Sequence, residues 1–169
     1  MIKKLLVSTV AAATLSTAVL ADTYAGAGLA IESVDAYDMG FALVLNGGMT
    51  LDDAQIGDGK LAVEGEFSYS VVSPSTSGVD FTAMTLAGYA AYIFDINKEL
   101  YIKPRAGLIY RSYDVSASRW GSYSNSEIGI ALTVGGGYKI SKEMNIFTDI
   151  ALVDGMDLIH LTAGVEYHF

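Results

Sequence analysis

Apolar and polar residues alternate along the end of this chain, and this pattern limits what the chain can fold into. From Ile159 to Phe169 every second residue is apolar, and the residues between them are polar or small. A period of two places successive side chains on opposite faces of a β-strand, whereas a helix needs apolar residues every three to four positions. The end of the chain is therefore predicted to be a strand with one apolar face.

The same alternation recurs upstream. It is clear in segments 61–71, 102–111 and 128–139. Four less regular segments lack helix signals and are rich in Ala, Gly, aromatic and β-branched residues, which favours strands. These segments are about 23–32, 37–46, 81–94 and 145–153. Together with 159–169, they give eight predicted strands.

The first 21 residues have the layout of a secretory signal. Lys3 and Lys4 precede an apolar stretch that ends in Val19-Leu20-Ala21, a small-residue cleavage site. The alternative is a membrane helix, but residues 5–21 are interrupted by Ser and Thr and are short for a span of about 20 residues. We expect a signal peptide at 1–21 and one domain at 22–169.

The composition indicates a membrane protein without membrane helices. The chain is 51% hydrophobic and 17% charged, yet beyond residue 21 its longest apolar run covers only 86–94. Transmembrane β-strands need only about 9–11 residues and alternate, so they combine these properties.

A net charge of −9 argues against nucleic acid as a partner. The absence of cysteine excludes disulfide scaffolds and cysteine-bound metals.

The predicted connections fall into two classes. Segments 95–99 and 141–144 are tight charged turns, whereas 72–80 and 116–125 are longer and rich in serine. An even number of antiparallel strands, with short turns on one rim and longer loops on the other, is typical of bacterial outer-membrane barrels. The acidic stretch 47–59 fits less well, because this layout makes it a long connection on the short-turn rim.

Periodicity alone does not say which face points outward, because a soluble lipocalin-type barrel would place its apolar face inside. The interior of an eight-stranded barrel is just wide enough for side chains. The apolar face is too bulky for that space, so it is predicted to face lipid. Aromatic residues fall near both ends of the strands, as expected for two interfacial belts: Tyr92, Phe94, Tyr138, Tyr167 and Phe169 near the short turns, and Phe67, Tyr69 and Tyr110 near the loops.

With its signal sequence, eight alternating segments and an end that reads Val165-Glu166-Tyr167-His168-Phe169, the chain resembles the small eight-stranded bacterial outer-membrane proteins such as OmpX and the membrane domain of OmpA. The resemblance covers 22–169. It implies an all-β, up-and-down, antiparallel transmembrane barrel surrounded by outer-membrane lipid. It also implies that Tyr167 and Phe169 form the signal read by the barrel assembly machinery.

Charged residues lie on the predicted inner face of several strands. Unpaired charges away from water cost several kcal/mol, so we expect ion pairs across the lumen, with Glu66–Arg105 and Glu64–Lys103 as the first candidates. An ion-selective pore lined by the same groups is the alternative. The predicted lumen charges are Glu64, Glu66, Lys103, Arg105, Arg111, Lys139, Asp149 and Glu166.

Other site signals are weak. His160 and His168 share a face, but eight strand residues separate them by about 27 Å, too far to bind one metal. Asp52, Asp53 and Asp58 do not have calcium-loop spacing. The glycines at 26–28 and 135–137 precede no helix that could cradle a phosphate. We therefore expect no metal site and no cofactor.

The expected function is non-enzymatic, with a structural or surface-interaction role. The segment 116–125 contains Arg119, Trp120 and Tyr123, residue types that are common in binding hot spots, so these three are candidates for contact with a surface ligand. A narrow pore is one alternative. A lipid-modifying enzyme with His160 as its base is another, but the sequence offers no matching nucleophile.

Overall fold

The computed structural model describes residues 22–34, 38–76, 79–117, 121–153 and 158–169. The predicted signal peptide, 1–21, lies outside the described residues. All regular elements within the described ranges are β-strands. No helix among them is long and apolar enough to cross a membrane.

The strands form one antiparallel sheet that closes on itself. Apart from β3 and β4, strands that are neighbours in sequence pair with each other, β1 also pairs with β9, and β3 pairs directly with β5. The two-residue β4 is an addition to β5, so the barrel wall has eight strands and the predicted fold class is confirmed. The strands are β1 (Thr23–Val34), β2 (Gly40–Ile56), β3 (Gly59–Val72), β4 (Ser75–Thr76), β5 (Val79–Asp95), β6 (Leu100–Ala117), β7 (Gly121–Lys139), β8 (Met144–Val153) and β9 (Leu158–His168).

Closure brings the two ends of the described chain to one rim. Tyr24 of β1 pairs with His168 of β9, and the backbone N–H of Phe169 donates to the carbonyl of Thr23 at 2.9 Å. A closed barrel satisfies the backbone hydrogen bonds of its strands without water, which a strand in hydrocarbon requires. The short turns 57–58, 96–99 and 140–143 lie at this same rim, called here the short-turn rim.

The apolar face points outward, as predicted. Leu108, Ile130 and Val134 are exposed on the outside, while Glu64, Lys103 and Arg105 are buried in the lumen. Four aromatic residues are also buried on the inner face, although the sequence pattern predicted aromatic side chains on the outer face. Each is in phase with polar inner residues of its own strand: Tyr24, Tyr89, Tyr101 and Phe147.

Glycines on the inner face of β7 give the larger inner side chains their space. A Cβ at Gly135 would overlap the Oδ1 atom of Asp149, and one at Gly137 would lie 2.6 Å from Cζ of Tyr101. These glycines therefore accommodate specific neighbours, in keeping with the expected role of glycine in a tight barrel.

Two predicted connections are wrong because they are mainly strand. The stretch 47–59 is the end of β2, a two-residue turn and the first residue of β3, with Gly57 in the left-handed region at φ 64°. Gly57-Asp58-Gly59 is sufficient to turn the chain. Within the segment 116–125, residues 116–117 are the end of β6 and 121–125 the start of β7, which pair up to Ala117 and Gly121; residues 118–120 lie outside the described part of the chain. In both cases pairing with a neighbouring strand outweighs weak local strand propensity.

The loop predicted at 72–80 is also partly folded. Ser75 and Thr76 of β4 pair with Asp80 and Val79 of β5, so this connection returns as a small hairpin. The backbone N–H of Phe81 donates to the carbonyl of Pro74 at 2.8 Å. Residues 77–78 lie outside the described part of the chain.

The barrel wall is taller on one side. β5, β6 and β7 have 17, 18 and 19 residues, whereas about 9–11 residues cross a bilayer. β8 and β9 have only 10 and 11. The residues of β5, β6 and β7 that exceed this length form a three-stranded sheet at the rim opposite the short turns. This sheet, called here the extension, consists of residues 79–83, 113–117 and 121–125.

Candidate functional site

Two cations on β6 occupy the centre of the lumen. Lys103 and Arg105 are separated by one residue, so the strand period directs both side chains inward. Both are almost fully buried. A buried cation requires partners, because removing it from water costs several kcal/mol.

Four carboxylates from three other strands supply those partners. Nζ of Lys103 lies 2.8 Å from Glu64 Oε1 and 3.2 Å from Glu166 Oε2. Nη1 of Arg105 lies 2.9 Å from Glu64 Oε2 and 3.0 Å from Glu66 Oε2, and its Nη2 lies 3.0 Å from Asp149 Oδ2. The two pairs predicted first are thus in direct contact. The lumen network consists of Glu64, Glu66, Lys103, Arg105, Asp149 and Glu166.

Neutral groups add further contacts to the lumen network. The hydroxyl of Tyr24 donates to Glu64, and the amide of Asn46 donates to Glu166 at 3.3 Å. The Lys103 ammonium lies 5.1 Å from the ring centroid of Tyr24, and the Arg105 guanidinium lies 4.7 Å from that of Tyr89. Both distances are within the range of cation–π attraction. Rings and charges therefore pack together across the barrel.

The lumen network contains four carboxylates and two cations. Each cation forms ion pairs with more than one carboxylate, and Glu64 contacts both cations. Loss of a cation would therefore leave several carboxylates uncompensated, whereas loss of one carboxylate would reduce the excess of negative charge. The two kinds of substitution should have unequal effects on stability.

Arg111 and Lys139 do not join the lumen network, contrary to the prediction. Arg111 is buried nearer the extension, and its Nη2 lies 2.7 Å from Glu127 on the adjacent strand. Lys139 lies at the short-turn rim, where Nζ is 2.7 Å from Asp95. The period of two correctly assigns the face of a residue but not its height in the barrel, and height decides which partners it meets.

Sequence reasoning also missed a second buried pair. Glu32 on β1 and His160 on β9 are directly paired in register. His160 Nε2 lies 3.2 Å from Glu32 Oε1, and both side chains are buried. The phase of Glu32, in line with Tyr24 on the same strand, was the available signal. Among the described residues no three metal-ligating side chains group together.

His168 lies apart from His160, at the short-turn rim. Its Nδ1 lies 3.2 Å from Asp22 Oδ1, and its Nε2 lies 3.3 Å from Glu166 Oε1. The side chain therefore connects the start of the described chain to a carboxylate of the lumen network. This contact joins β9 to the residue that precedes β1.

The two residues of the predicted assembly signal face outward at the short-turn rim. Phe169 is 73% exposed and Tyr167 is 47% exposed. Their rings meet edge to face with centroids 5.2 Å apart. Both lie where lipid or another protein can reach them.

Of the three predicted contact residues, the structure describes one. Tyr123 lies on β7 within the extension and is 63% exposed. Arg119 and Trp120 lie outside the described residues. Tyr123 is therefore a strand residue of the extension, not a residue of an irregular loop.

Comparison with known proteins identifies the same architecture. The family model for the outer membrane protein beta-barrel domain matches residues 5–169. No curated protein matches the sequence closely enough to count as a relative.

Several solved structures share the fold. Ail, the attachment invasion locus protein of Yersinia pestis, has a TM-score of 0.64 at 15% identity, covering 88% of this chain and 99% of its own. Neisserial surface protein A has a TM-score of 0.59 at 21% identity, covering 88% and 96%. OprG of Pseudomonas aeruginosa has a TM-score of 0.59 at 11% identity, covering 88% and 96%. At these identities the likeness concerns the fold alone.

Proposed function

The chain belongs to the family of outer-membrane protein β-barrel domains, and from this premise we propose that it is a non-enzymatic membrane anchor. In this proposal the lumen is closed by ion pairs, and the extension at the outer rim contacts other molecules. The protein resides in the bacterial outer membrane. Short turns face the periplasm in such barrels, which directs the extension to the cell exterior.

The lumen network is the observation that supports a closed lumen. Lys103 and Arg105 span the barrel interior to carboxylates on β3, β8 and β9, at distances between 2.8 and 3.2 Å. Tyr24 and Tyr89 pack against the two cations. An ion that crossed this layer would have to separate several buried charge pairs, and breaking one such pair costs about 3–5 kcal/mol.

A narrow pore is the second candidate, because the lumen is lined by charged groups. Pores that conduct need charged groups that face water and bind ions weakly enough to release them. The cations here are instead engaged with protein carboxylates and are nearly inaccessible. This arrangement favours the closed barrel.

A lipid-modifying enzyme has less support. His160 would be the base, and Glu32 could orient it. Nucleophilic catalysis also requires a hydroxyl or thiol within hydrogen-bonding distance of the base. The described contacts of His160 include no serine or threonine hydroxyl.

The proposed partners follow from the surfaces. Outer-membrane lipid surrounds the apolar belt, the assembly machinery binds Tyr167 and Phe169, and a surface ligand binds the extension. One Ail structure was solved in complex with the heparin analogue sucrose octasulfate. The exposed charges described on the extension here are Asp80 and Asp114, which would repel a sulfated sugar.

Solute flux and lipid chemistry test the proposal. Vesicles containing the purified barrel should retain entrapped potassium and small sugars as well as protein-free vesicles do. Lipid A extracted from cells with and without the protein should have the same mass spectrum. Rapid efflux would show that the protein is a pore and not a closed anchor. A change in lipid A that depends on the protein would show that it is an enzyme.

A further inference from the structure

We propose that a groove on the outer wall of the barrel binds one phospholipid of the periplasmic leaflet, whose head group carries a phosphate and a primary ammonium. Its acyl chain lies in the groove, and Lys98 and Glu99 contact its head group. The inference goes beyond the proposed anchor role, because a pore or an enzyme with this fold could bind the same lipid. The groove, called here the outer groove, is lined mainly by Leu100, Gly136, Tyr138, Ile146, Thr148 and Ala163.

The strand register creates the outer groove. Gly136 of β7 pairs with Thr148 of β8, and Thr148 pairs with Ala163 of β9, so these three residues form one row across the wall. The adjoining rows carry bulky exposed side chains: Val134, Ile150 and Leu161 on one side, and Tyr138, Ile146 and Val165 on the other. The depression between them has a volume of about 440 Å³, within the range of about 300–1,000 Å³ that is usual for ligand sites.

The floor of the outer groove fits hydrocarbon. Thr148 is the one polar side chain among the three floor residues, and its hydroxyl already donates to the carbonyl of Thr162 at 3.0 Å. The groove runs across strands that are tilted by about 35–45° in barrels of this kind, so it is itself inclined to the membrane. An acyl chain can therefore follow it from the short-turn rim into the bilayer.

The β5–β6 turn forms the mouth of the outer groove at the short-turn rim. Ile96 and Leu100 line the groove and are 57% and 42% exposed. The Ile96 N–H donates to the carbonyl of Leu100 at 2.9 Å, and Asn97 Oδ1 accepts from the N–H groups of Glu99 and Leu100 at 2.8 Å. These bonds fix the turn, so Lys98 and Glu99 need little ordering to bind a head group.

Lys98 and Glu99 supply one charge of each sign at the mouth. Both side chains are exposed, and no ion pair within the described part of the chain engages Lys98. The neighbouring charges, Lys139 and Asp95, pair with each other at 2.7 Å. The Glu99 carbonyl accepts from the Lys139 N–H at 2.7 Å, and the Tyr138 hydroxyl on the groove wall interacts with the Glu99 carboxylate. Glu99 thus lies beside the groove.

These two charges indicate the class of head group. The Lys98 ammonium attracts a phosphate, and a primary ammonium can donate to the Glu99 carboxylate. An anionic lipid without an ammonium would leave Glu99 unpaired, and a quaternary ammonium has no N–H to donate. An ethanolamine head group satisfies both residues. Because the short turns of such barrels face the periplasm, the lipid belongs to the periplasmic leaflet.

The same kind of turn recurs on the rim. Residues 140–144 repeat the pattern of 96–100, which is isoleucine, a polar residue, lysine, glutamate, and then leucine or methionine. Ser141 Oγ accepts the two backbone hydrogen bonds that Asn97 Oδ1 accepts in the first turn, at 3.2 and 3.1 Å. Met144 lines a smaller groove of about 280 Å³. Of the two grooves, the outer groove has the volume that suits a ligand.

Native mass spectrometry of the full mature chain in detergent tests the head-group preference. The chain is mixed with equal amounts of phosphatidylethanolamine, phosphatidylcholine and phosphatidylglycerol that have the same acyl chains. Complexes with phosphatidylethanolamine should be about fivefold more abundant than those with either other lipid, the size expected for charge contacts that water partly screens. Equal abundances would indicate lipid contact without selection and would overturn the inference.

Charge variants of two turns test the residues. Lys98→Gln combined with Glu99→Gln should abolish the preference, because it removes both charges from the mouth. Asp58→Asn combined with Lys60→Gln is the matched control, since it also removes one exposed charge of each sign from the short-turn rim but lies at the turn before β3, outside the groove. Loss of the preference in both double variants would indicate a general effect of rim charge and would contradict the site.

Photolabelling then locates the lipid. A phosphatidylethanolamine with a photoactivatable acyl chain should label mainly residues of β7 and β8. Ala163→Leu fills the floor and should reduce this labelling, whereas Ala106→Leu, at an exposed alanine of the outer wall that does not line the groove, should not. Gel mobility of unheated samples checks that both variants are folded. Equal labelling of the two variants would overturn the inference.

Potassium retention by vesicles, measured on the same preparations, tests the closed lumen separately, because the outer groove lies on the opposite face of the wall from the lumen network. Tight vesicles without lipid selection would refute this inference alone. Leaky vesicles with selective binding would refute only the closed lumen.

Discussion

Replacing Arg105 with methionine should destabilise the barrel more than any single carboxylate substitution in the lumen network. Arg105 contacts Glu64, Glu66 and Asp149 at 2.9–3.0 Å. Methionine has an unbranched chain but no charge, so Lys103 would remain as the only cation of the network for four carboxylates. Removing one partner of a buried ion pair costs about 3–5 kcal/mol, and we expect a loss of that size.

Glu66→Gln is the matched control. The Glu66 side chain is 11% exposed and has one ionic contact within the lumen network. Arg105 would keep Glu64 and Asp149, and the number of negative charges would fall. The expected loss is below about 1 kcal/mol, as for a pair that water can reach.

The assay is equilibrium unfolding by urea in lipid vesicles, followed by far-UV circular dichroism and by the gel mobility of unheated samples. Adding Asp149→Asn to Arg105→Met should recover part of the loss, because it removes one uncompensated charge. The coupling should be about 0.5–3 kcal/mol, as for residues in contact. Equal small losses for Arg105→Met and Glu66→Gln would show that water screens the charges and that Arg105 does not hold the lumen network together.

Three further predictions concern other parts of the chain. The mass of the protein from the outer membrane should correspond to a chain that begins at Asp22; a mass that includes residues 1–21 would contradict signal cleavage. Deleting Phe169 should lower the amount of folded protein in cells while leaving refolding in detergent nearly unchanged; equal amounts in cells would remove the assembly role. Gly135→Ala should cost about 1–3 kcal/mol, because its Cβ would overlap Asp149. Gly88→Ala should be nearly neutral, since a Cβ there meets nothing within 4 Å; similar unfolding curves for the two variants would contradict this account of the inner glycines.

The strands of the barrel could be predicted because each separates lipid from a filled lumen. Ile159 to Phe169 alternates in sequence for this reason, and the structure has β9 at Leu158–His168. The same logic correctly assigned Glu64 and Arg105 to the interior. Where one face must be apolar and the other polar, the pattern carries the information directly.

The ends of the long strands could not be predicted in the same way. The extension lies beyond the span that a bilayer requires, so lipid imposes no alternation there. Ser116, Ser122 and Ser124 have weak strand propensity, and pairing between β6 and β7 determines their conformation. Local sequence does not reveal that pairing, and 116–125 was therefore predicted to be a loop.

Ion-pair partners were only partly predictable for a geometric reason. Barrel strands are staggered and tilted, so the height of a residue depends on the register of every strand between it and its partner. Lys103 and Lys139 are both in phase with inner residues, yet Lys103 contacts Glu166 whereas Lys139 contacts Asp95. The strand register, which is known only from the structure, determines which carboxylate each lysine contacts.

If the lumen network closes the barrel, ions cannot cross it, and single-channel recording measures their passage. The wild-type protein in a planar bilayer should give no conductance steps at neutral pH. The double variant Lys103→Ala and Arg105→Ala, if folded by gel mobility, should conduct, because it removes both cations that link the carboxylates across the lumen. Regular conductance steps from the wild type, unchanged in the double variant, would contradict the closed barrel.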